Sequence, residues 1–202
     1  KELIQSMMAK AEELSSAPGA FFADQFNNVA AAAGYAPLAE EVWDQTDGRV
    51  NVFVQSVGTA QCITGVARAL RARDPEIEIV AAEPAESAVL SGGTSGAHKI
   101  EGVGPGFIPP LWDRDLVDDI LQVSTSDAKE MTRTLAKEEA LFGGTSSGAN
   151  VVAALRVAQR LGPDATVVTL LCDSGLKRPR GPTRSLESRP VVVENRVRLW
   201  PG

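Results

Sequence analysis

The chain has 202 residues, 44% of them apolar, with 26 acidic against 20 basic side chains and a formal charge of −6. That length suffices for a real core in one large or two small domains, while the acidic balance excludes a general attraction to nucleic acid or to anionic membrane surfaces. Cys62 and Cys172 are too few for a disulfide framework and lack neighbours spaced as metal ligands, so no metal is expected; with no membrane-spanning run and no signal-peptide pattern, the sequence reads as a cytoplasmic protein that handles small molecules.

Leu3, Ile4, Met7, Met8, Ala11 and Leu14 recur at helical spacing, which predicts a helix over residues 2–15 that stops near Pro18-Gly19. The chain begins with Lys1, not Met, already inside that pattern, so an upstream segment is expected. Ala20-Phe21-Phe22-Ala23 is an apolar run of strand length. The polar residues after it, Asp24-Gln25-Phe26-Asn27-Asn28, either sit where ligands collect at the carboxyl edge of a parallel sheet or make local backbone bonds in a turn. Residues 30–44 read as one helix before the turn Thr46-Asp47-Gly48. Val50, Val52, Phe53 and Val54 then form a buried strand, which passes without a linker into a helical pattern over residues 63–72. Between them, Gly58-Thr59-Ala60-Gln61-Cys62 would present unpaired amides at a helix start, where the helix dipole favours a phosphate. The alternative is an ordinary strand-to-helix connection.

Ile77, Ile79 and Val80 predict a second strand over residues 76–82, parallel to the first and ending at Glu83-Pro84. The glycines between positions 92 and 106 mark a mobile or closely approached loop. A short strand over 119–123 precedes a helix over 126–140, with Ser126 as N-cap and Glu130 near the capping-box position. A second glycine-rich turn, Gly143-Gly144-Thr145-Ser146-Ser147-Gly148, feeds a helix over 149–161. A buried strand over 165–172 closes on Asp173-Ser174-Gly175. Beyond Lys177 arginines alternate with prolines and only Val191, Val192 and Val193 offer something to bury, so a poorly ordered tail is expected, with a nucleic-acid- or partner-binding tail as the alternative.

Three enzyme readings compete for these turns. A dinucleotide loop at Gly58 would use Glu83 for a ribose hydroxyl, but Ala60, Gln61 and Cys62 interrupt the glycine pattern. A nucleophile elbow at Gly144-Thr145-Ser146-Ser147-Gly148 would need a histidine after it, and His98 comes before it. The third reading takes both glycine-rich turns as two walls of one cofactor site on one edge of a parallel sheet.

Under that third reading the chain, from Lys10-Ala11-Glu12-Glu13-Leu14 to Cys172-Asp173-Ser174-Gly175-Leu176-Lys177, resembles the cysteine synthase and cystathionine β-synthase family of fold-type II pyridoxal-phosphate enzymes. The motifs that carry the resemblance are Asp24-Gln25-Phe26-Asn27-Asn28, Glu41-Val42-Trp43 with Thr46-Asp47-Gly48, Val57-Gly58-Thr59 with Ile63-Thr64-Gly65, His98-Lys99-Ile100-Glu101-Gly102-Val103-Gly104 with Gly106-Phe107-Ile108-Pro109, and Thr145-Ser146-Ser147-Gly148. Their order and spacing together are specific. The resemblance implies an α/β fold, a mostly parallel sheet with helices on both faces, with strands near Phe21, Phe53, Ile79, Leu121 and Val168. Residues 20–176 would be the large, cofactor-binding domain, 1–19 a remnant of the small domain and 177–202 a divergent tail.

It further implies pyridoxal 5'-phosphate as cofactor and an amino-acid substrate, in a β-replacement that makes cysteine from O-acetylserine and sulfide. Gly58, Thr59, Ala60, Gln61 and Cys62 would hold the cofactor phosphate. Ser146 would meet the pyridine nitrogen as a neutral partner, Gln25 would lie near the substrate carboxylate, and Gly102 would belong to a loop that closes over substrate. The chain departs from the family in three places. Ala60 and Gln61 stand where the family has glycines and Cys62 where it has a threonine; the Schiff-base lysine motif and the substrate-carboxylate loop are not seen; and the ending after Lys177 differs. Lys1, Lys10, Lys99, Lys129, Lys137 and Lys177 all lie outside the lysine motif, so no catalytic residue is assigned. The expectation is a truncated cysteine-synthase-like polypeptide, inactive alone. The alternative is a non-catalytic binding or regulatory module that pairs with a full-length subunit; the partners expected are a second copy in a homodimer or such a full-length subunit.

Overall fold

A computed structural model describes residues 2–176, 189–193 and 197–198. Helix α1 (Glu2–Ser15) is followed by α2 (Val29–Ala33) and α3 (Ala36–Gln45), then by strand β1 (Val52–Ser56), α4 (Gln61–Arg73) and β2 (Glu78–Pro84). Two single 3₁₀ turns, Ala85–Ser87 and Arg114–Leu116, punctuate the long connection to β3 (Asp119–Val123). Helices α5 (Thr125–Glu138) and α6 (Thr145–Leu161) precede β4 (Val167–Leu171), and β5 (Arg189–Val193) and β6 (Val197–Arg198) end the sheet.

The sheet order is β3-β2-β1-β4-β5-β6. The first four strands are parallel, with Phe53 opposite Ile79 on one side and Val168 on the other. All five residues of β1 are buried, Val52, Phe53 and Val54 as apolar side chains at the centre of a two-faced parallel sheet and Gln55 and Ser56 as buried polar groups at its carboxyl end. Alternation along the strands sorts the core into two layers. Phe53, Ile79, Ala81, Val168 and Leu170 pack with α3 and α4, whereas Val52, Val54, Val80, Ala82 and Val167 pack with α5 and α6. From β1 the chain first builds outward through β2 and β3, then crosses to the other side of β1 for β4. The strand order therefore reverses between β1 and β4, and the carboxyl ends of those two strands are where a doubly wound sheet opens a crevice.

Four sequence expectations change. The strand near Phe21 does not form: residues 20–24 are irregular and Phe21 is 88% exposed. The amides that follow it work locally, Asn27 donating to Asp24 Oδ1 and Asn28 accepting from the Ala31 N–H as N-cap of α2. The single helix over 30–44 is two helices, because Pro37 near the start of α3 can neither donate to the preceding turn nor tolerate its carbonyl. The cap of α5 is Ser124, whose Oγ accepts from the Asp127 N–H, and not Ser126. Finally, the poorly ordered tail is corrected at two places: Arg189–Val193 pairs antiparallel with β4, and Val197–Arg198 pairs with β5. The remainder of that expectation lies outside the described residues.

Candidate functional site

At the end of β1 the chain turns through Val57, Gly58 and Thr59 to Ala60, which takes a left-handed conformation (φ 68°) as the N-cap of α4. The first i→i−4 bond of α4 runs from the Thr64 N–H to the Ala60 carbonyl at 3.0 Å. The N–H groups of Gln61, Cys62 and Ile63 precede that bond, and no side chain among the described residues caps them. A 13-residue helix thus aims its orphan donors and the positive end of its dipole at the crevice.

Helix α6 faces it. The sequence placed the start of this helix at Ala149, but Thr145, Ser146, Ser147 and Gly148 are its first turn and not a loop before it. Asp173, just past β4, serves that helix end: its Oδ1 accepts from the Gly144 N–H (3.0 Å), the Ser147 hydroxyl (3.1 Å) and the Ser146 hydroxyl (3.3 Å). Gly144 is required here, because a Cβ would lie 2.4 Å from both carboxylate oxygens.

Between the two helix ends lies a cleft of about 300 Å³, whose walls include Gly58, Thr59, Ala60, Cys62, Ser146 and Asp173. Its third wall is Glu101, Gly102 and Val103. That loop is tied down by Gly104 N–H to the Val57 carbonyl (2.9 Å) and Glu101 N–H to Thr145 Oγ1 (3.1 Å). His98 adds a clasp: its Nδ1 accepts from the Ile100 N–H at 3.3 Å, which leaves Nε2–H to donate to the Gly104 carbonyl at 3.0 Å. Gly102 comes so close to Gly58 that a Cβ on Gly58 would sit 2.5 Å from the Gly102 carbonyl oxygen. Gln25 is in a second cleft of about 470 Å³, which shares Gly58, Thr59, Gly102 and Val103 with the first and is otherwise walled by Met7, Met8, Phe22 and Phe26 among others.

Gln61 is the one residue of the expected phosphate loop that does not line the first cleft. Its side chain turns away, Nε2 donating to the Gln25 carbonyl at 2.5 Å. Burial, with a smaller contribution from Cys172, pushes the Cys62 thiol far above its ordinary range, so it stays protonated. Tyr35, on the same wall, is raised for the same reasons, burial first and then the two thiols.

Beneath the cleft is a polar network that sequence reasoning missed. Asn150, fully buried in α6, accepts from the Ser56 N–H at 2.7 Å and donates to the Leu170 carbonyl at 2.8 Å and to Gln55 Oε1 at 3.2 Å. It thereby stitches α6 to the carboxyl ends of β1 and β4. The available signal was an amide inside the otherwise apolar run Ala149 to Ala154. Removing it strands a strand-end amide and a carbonyl, each costing about 1–3 kcal/mol when buried and unpaired. Asn150→Ala is therefore expected to lower stability by about 2 kcal/mol in urea titration, with an unchanged m-value. Ser56 lines the same cleft, and its buried hydroxyl has no hydrogen-bond partner among the described residues.

The other readings of the turns lose their residues. Glu83 is 3% exposed and its carboxylate is occupied by the Leu90 and Ser91 N–H groups (2.7 and 3.1 Å) and the Ser91 hydroxyl, which leaves nothing for a ribose. Both ring nitrogens of His98 are engaged in the loop clasp, so it is no base for Ser146. Among the described residues there is no cluster of three His, Cys, Asp or Glu suited to a metal ion, and no helix long and apolar enough to cross a membrane.

Comparison with known proteins supplies the family and the fold. Cysteine synthase 3 of Caenorhabditis elegans is 49% identical over 144 residues, which are 71% of this chain and 43% of that protein. Cysteine synthase of Staphylococcus aureus is 40% identical over 176 residues, 86% of this chain and 57% of its own length. Among solved structures, O-acetylserine sulfhydrylase isoform 3 of Entamoeba histolytica superposes with a TM-score of 0.78 at 39% identity, over 83% of this chain and 51% of that one. O-acetylserine-dependent cystathionine β-synthase of Helicobacter pylori gives 0.79 at 37% identity, covering 84% and 56%. The chain thus spans about half the length of the relatives it matches. The model of the family described as "Pyridoxal-phosphate dependent enzyme" matches residues 2–173, nearly all of the described chain, and it is to this family that the protein belongs.

Proposed function

We propose that the cleft between α4 and α6 holds pyridoxal 5'-phosphate, and that the chain carries the cofactor-binding part of a cysteine synthase that joins O-acetylserine and sulfide. The observation that supports this most directly is the uncapped amino end of α4 facing Ser146 across one cleft. A phosphate bound by backbone donors is indifferent to most side chains, and this loop satisfies that condition. The Ala60 methyl is buried at 3% exposure, Gln61 has turned away, and Cys62 is kept neutral, so no added side chain puts charge against an anion. Gly58, Thr59, Ala60, Gln61 and Cys62 would hold the phosphate group and Ser146 the ring nitrogen.

When bound, the cofactor supplies an electron sink for a carbanion at the substrate α-carbon. The chain's own residues would bind and orient. Gln25, whose segment is tethered to α4 through Gln61 and lines the adjoining cleft, would offer an amide to the substrate carboxylate. The Gly102 loop, which lies against Gly58, would close over the substrate. Equilibrium titration with pyridoxal phosphate tests this reading, followed by absorbance of the cofactor and by competition with inorganic phosphate. Saturable binding is expected for the wild-type chain. Gly58→Val should weaken it at least about tenfold, because the new side chain displaces the Gly102 carbonyl, as overpacked sites do at about 1–3 kcal/mol. A wild-type chain without saturable binding would leave the loop as a structural turn.

A further inference from the structure

In the segment 24–28 one polar side chain is left over. Asn27 Nδ2 donates to Asp24 Oδ1 at 2.7 Å, Asn28 Nδ2 donates to the Ala23 carbonyl at 3.0 Å, and Asn28 Oδ1 accepts from the Ala31 N–H at 3.1 Å. Gln25 makes no side-chain hydrogen bond among the described residues, and it lines the cleft of about 470 Å³. Its backbone is the part that is held. Phe26 beside it is buried, with its ring centroid 5.4 Å from that of Phe107, and the Gln25 carbonyl accepts from Gln61 Nε2 across 36 positions of sequence. Among the described residues no other donor reaches that carbonyl. Gln61 is the first residue of α4, so its backbone N–H is one of the orphan donors at the helix end while its side chain holds the neighbouring segment.

We propose that Gln61 is a positioning residue that joins the two clefts: it fixes the Gln25 peptide against α4, so that the Gln25 amide is ready for the carboxylate of an amino acid whose attached ring and phosphate occupy the first cleft. The inference rests on the cofactor reading above and extends it to a side chain which that reading leaves aside. The two clefts share Gly58, Thr59, Gly102 and Val103, so a ligand that fills both runs from the helix end toward Gln25. Residues 20–24 are irregular and offer the peptide after Asp24 no ladder bond to hold its orientation. Without the tether, ordering that peptide would be a cost of substrate binding; with it, the segment is ordered beforehand. The glycine that the resemblance places at position 61 has no side chain to make this bond, so the tether is a feature of this chain's own sequence.

The test uses the full 202-residue chain and two probes with the same phosphate and ring: pyridoxamine phosphate, and the reduced conjugate of pyridoxal phosphate with L-serine, which adds the carboxylate. Wild type should bind the conjugate at least about tenfold more tightly, the scale of one charge-assisted hydrogen bond. Gln61→Met keeps a long side chain of good helix propensity but has no donor. It should lower that preference about fivefold, the scale of one neutral hydrogen bond, and change the affinity for pyridoxamine phosphate less than about twofold. In a Gln25→Ala background the same substitution should leave the preference unmoved, which separates a residue that acts through Gln25 from one that only supports the fold. An unchanged preference in Gln61→Met, equal weakening of both probes, or an equal loss in the Gln25→Ala background overturns the proposal. Wild-type chain that binds both probes alike overturns this inference alone, whereas wild-type chain that binds neither overturns the cofactor reading and this inference with it.

Discussion

Mixed with pyridoxal phosphate, O-acetylserine and sulfide, the purified 202-residue chain is expected to form cysteine no faster than the cofactor does beside an unrelated acidic protein. The family chemistry needs a lysine amine at the reacting carbon, and a lost general acid/base alone costs about 10²–10⁴-fold. Neither cleft is lined by a lysine among the described residues. Lys10 is an exposed partner of Glu13, Lys99 and Lys129 line a separate charged groove with Glu86 and Arg133, and Lys137 lies in the last turn of α5. Lys1 and Lys177 lie outside the described residues. No lysine among the described residues can therefore reach a ring held between α4 and Ser146. The site would bind and orient, yet lack the group that moves the proton, and orientation without it does not recover the rate. Cysteine formation that saturates with O-acetylserine, well above the control protein, would show that an amine outside these clefts reaches the site.

What could be read in the sequence follows from where the information is local. The β-branched run at β1 and the helix start at Gln61 are adjacent in sequence, so the strand, the turn and the orphan amides are legible from a single stretch. The same holds for Ser146, which a glycine-rich turn places at a helix amino end. The Phe21 strand failed because apolarity of strand length says nothing about whether a neighbouring strand exists to pair with it. Asp173 and Asn150 were out of reach for a different reason. Asp173 meets Ser146 across 27 positions and Asn150 meets Ser56 across 94, so each acquires its role only when α6 docks on the sheet. The conformation of Ala60 was not legible either. An alanine in a left-handed cap is uncommon, since the strain is of order 1–2 kcal/mol, and only a turn constrained at both ends holds it there.

The tolerance of the phosphate loop to substitution and the intolerance of its surroundings have one cause. Under the proposed cofactor reading backbone donors would do the binding, so for the phosphate the side chains at positions 60, 61 and 62 would be free to vary if they point elsewhere. The positions that let backbones approach are not free. Gly65 brings α4 against the Ala32 carbonyl of α2, where a Cβ would be 2.0 Å from the oxygen. Gly144 admits the Asp173 carboxylate and Gly58 admits the Gly102 loop. The site is thus built from close approaches among elements, with its specific side chains added at few points.

Gly148→Val should show that dependence most clearly. A Cβ at Gly148 would lie 2.1 Å from the Ala128 carbonyl oxygen and 2.6 Å from Thr132 Oγ1, and that hydroxyl already donates to the same carbonyl at 2.7 Å. The obstacle is the backbone of α5, anchored by the fully buried Ala128, so a rotamer change cannot relieve it. Helix α6 must instead shift outward at its first turn, which carries Thr145, Ser146 and Ser147 and leads directly to Asn150. Overpacking of this kind costs about 1–3 kcal/mol, and two added methyls against backbone put this case near the top, at about 3 kcal/mol. For a domain of this size that lowers Tm by about 6–12 °C. Pyridoxal phosphate binding should weaken at least about tenfold in the same variant, because Ser146 moves with the helix. Gly162→Ala is the control: its φ of 89° imposes strain, but nothing lies within 4 Å of the new Cβ, so a loss of about 1 kcal/mol with unchanged binding is expected. Melting of Gly148→Val within about 2 °C of wild type, a shift worth under 1 kcal/mol, would mean that α5 and α6 stand further apart than this packing requires.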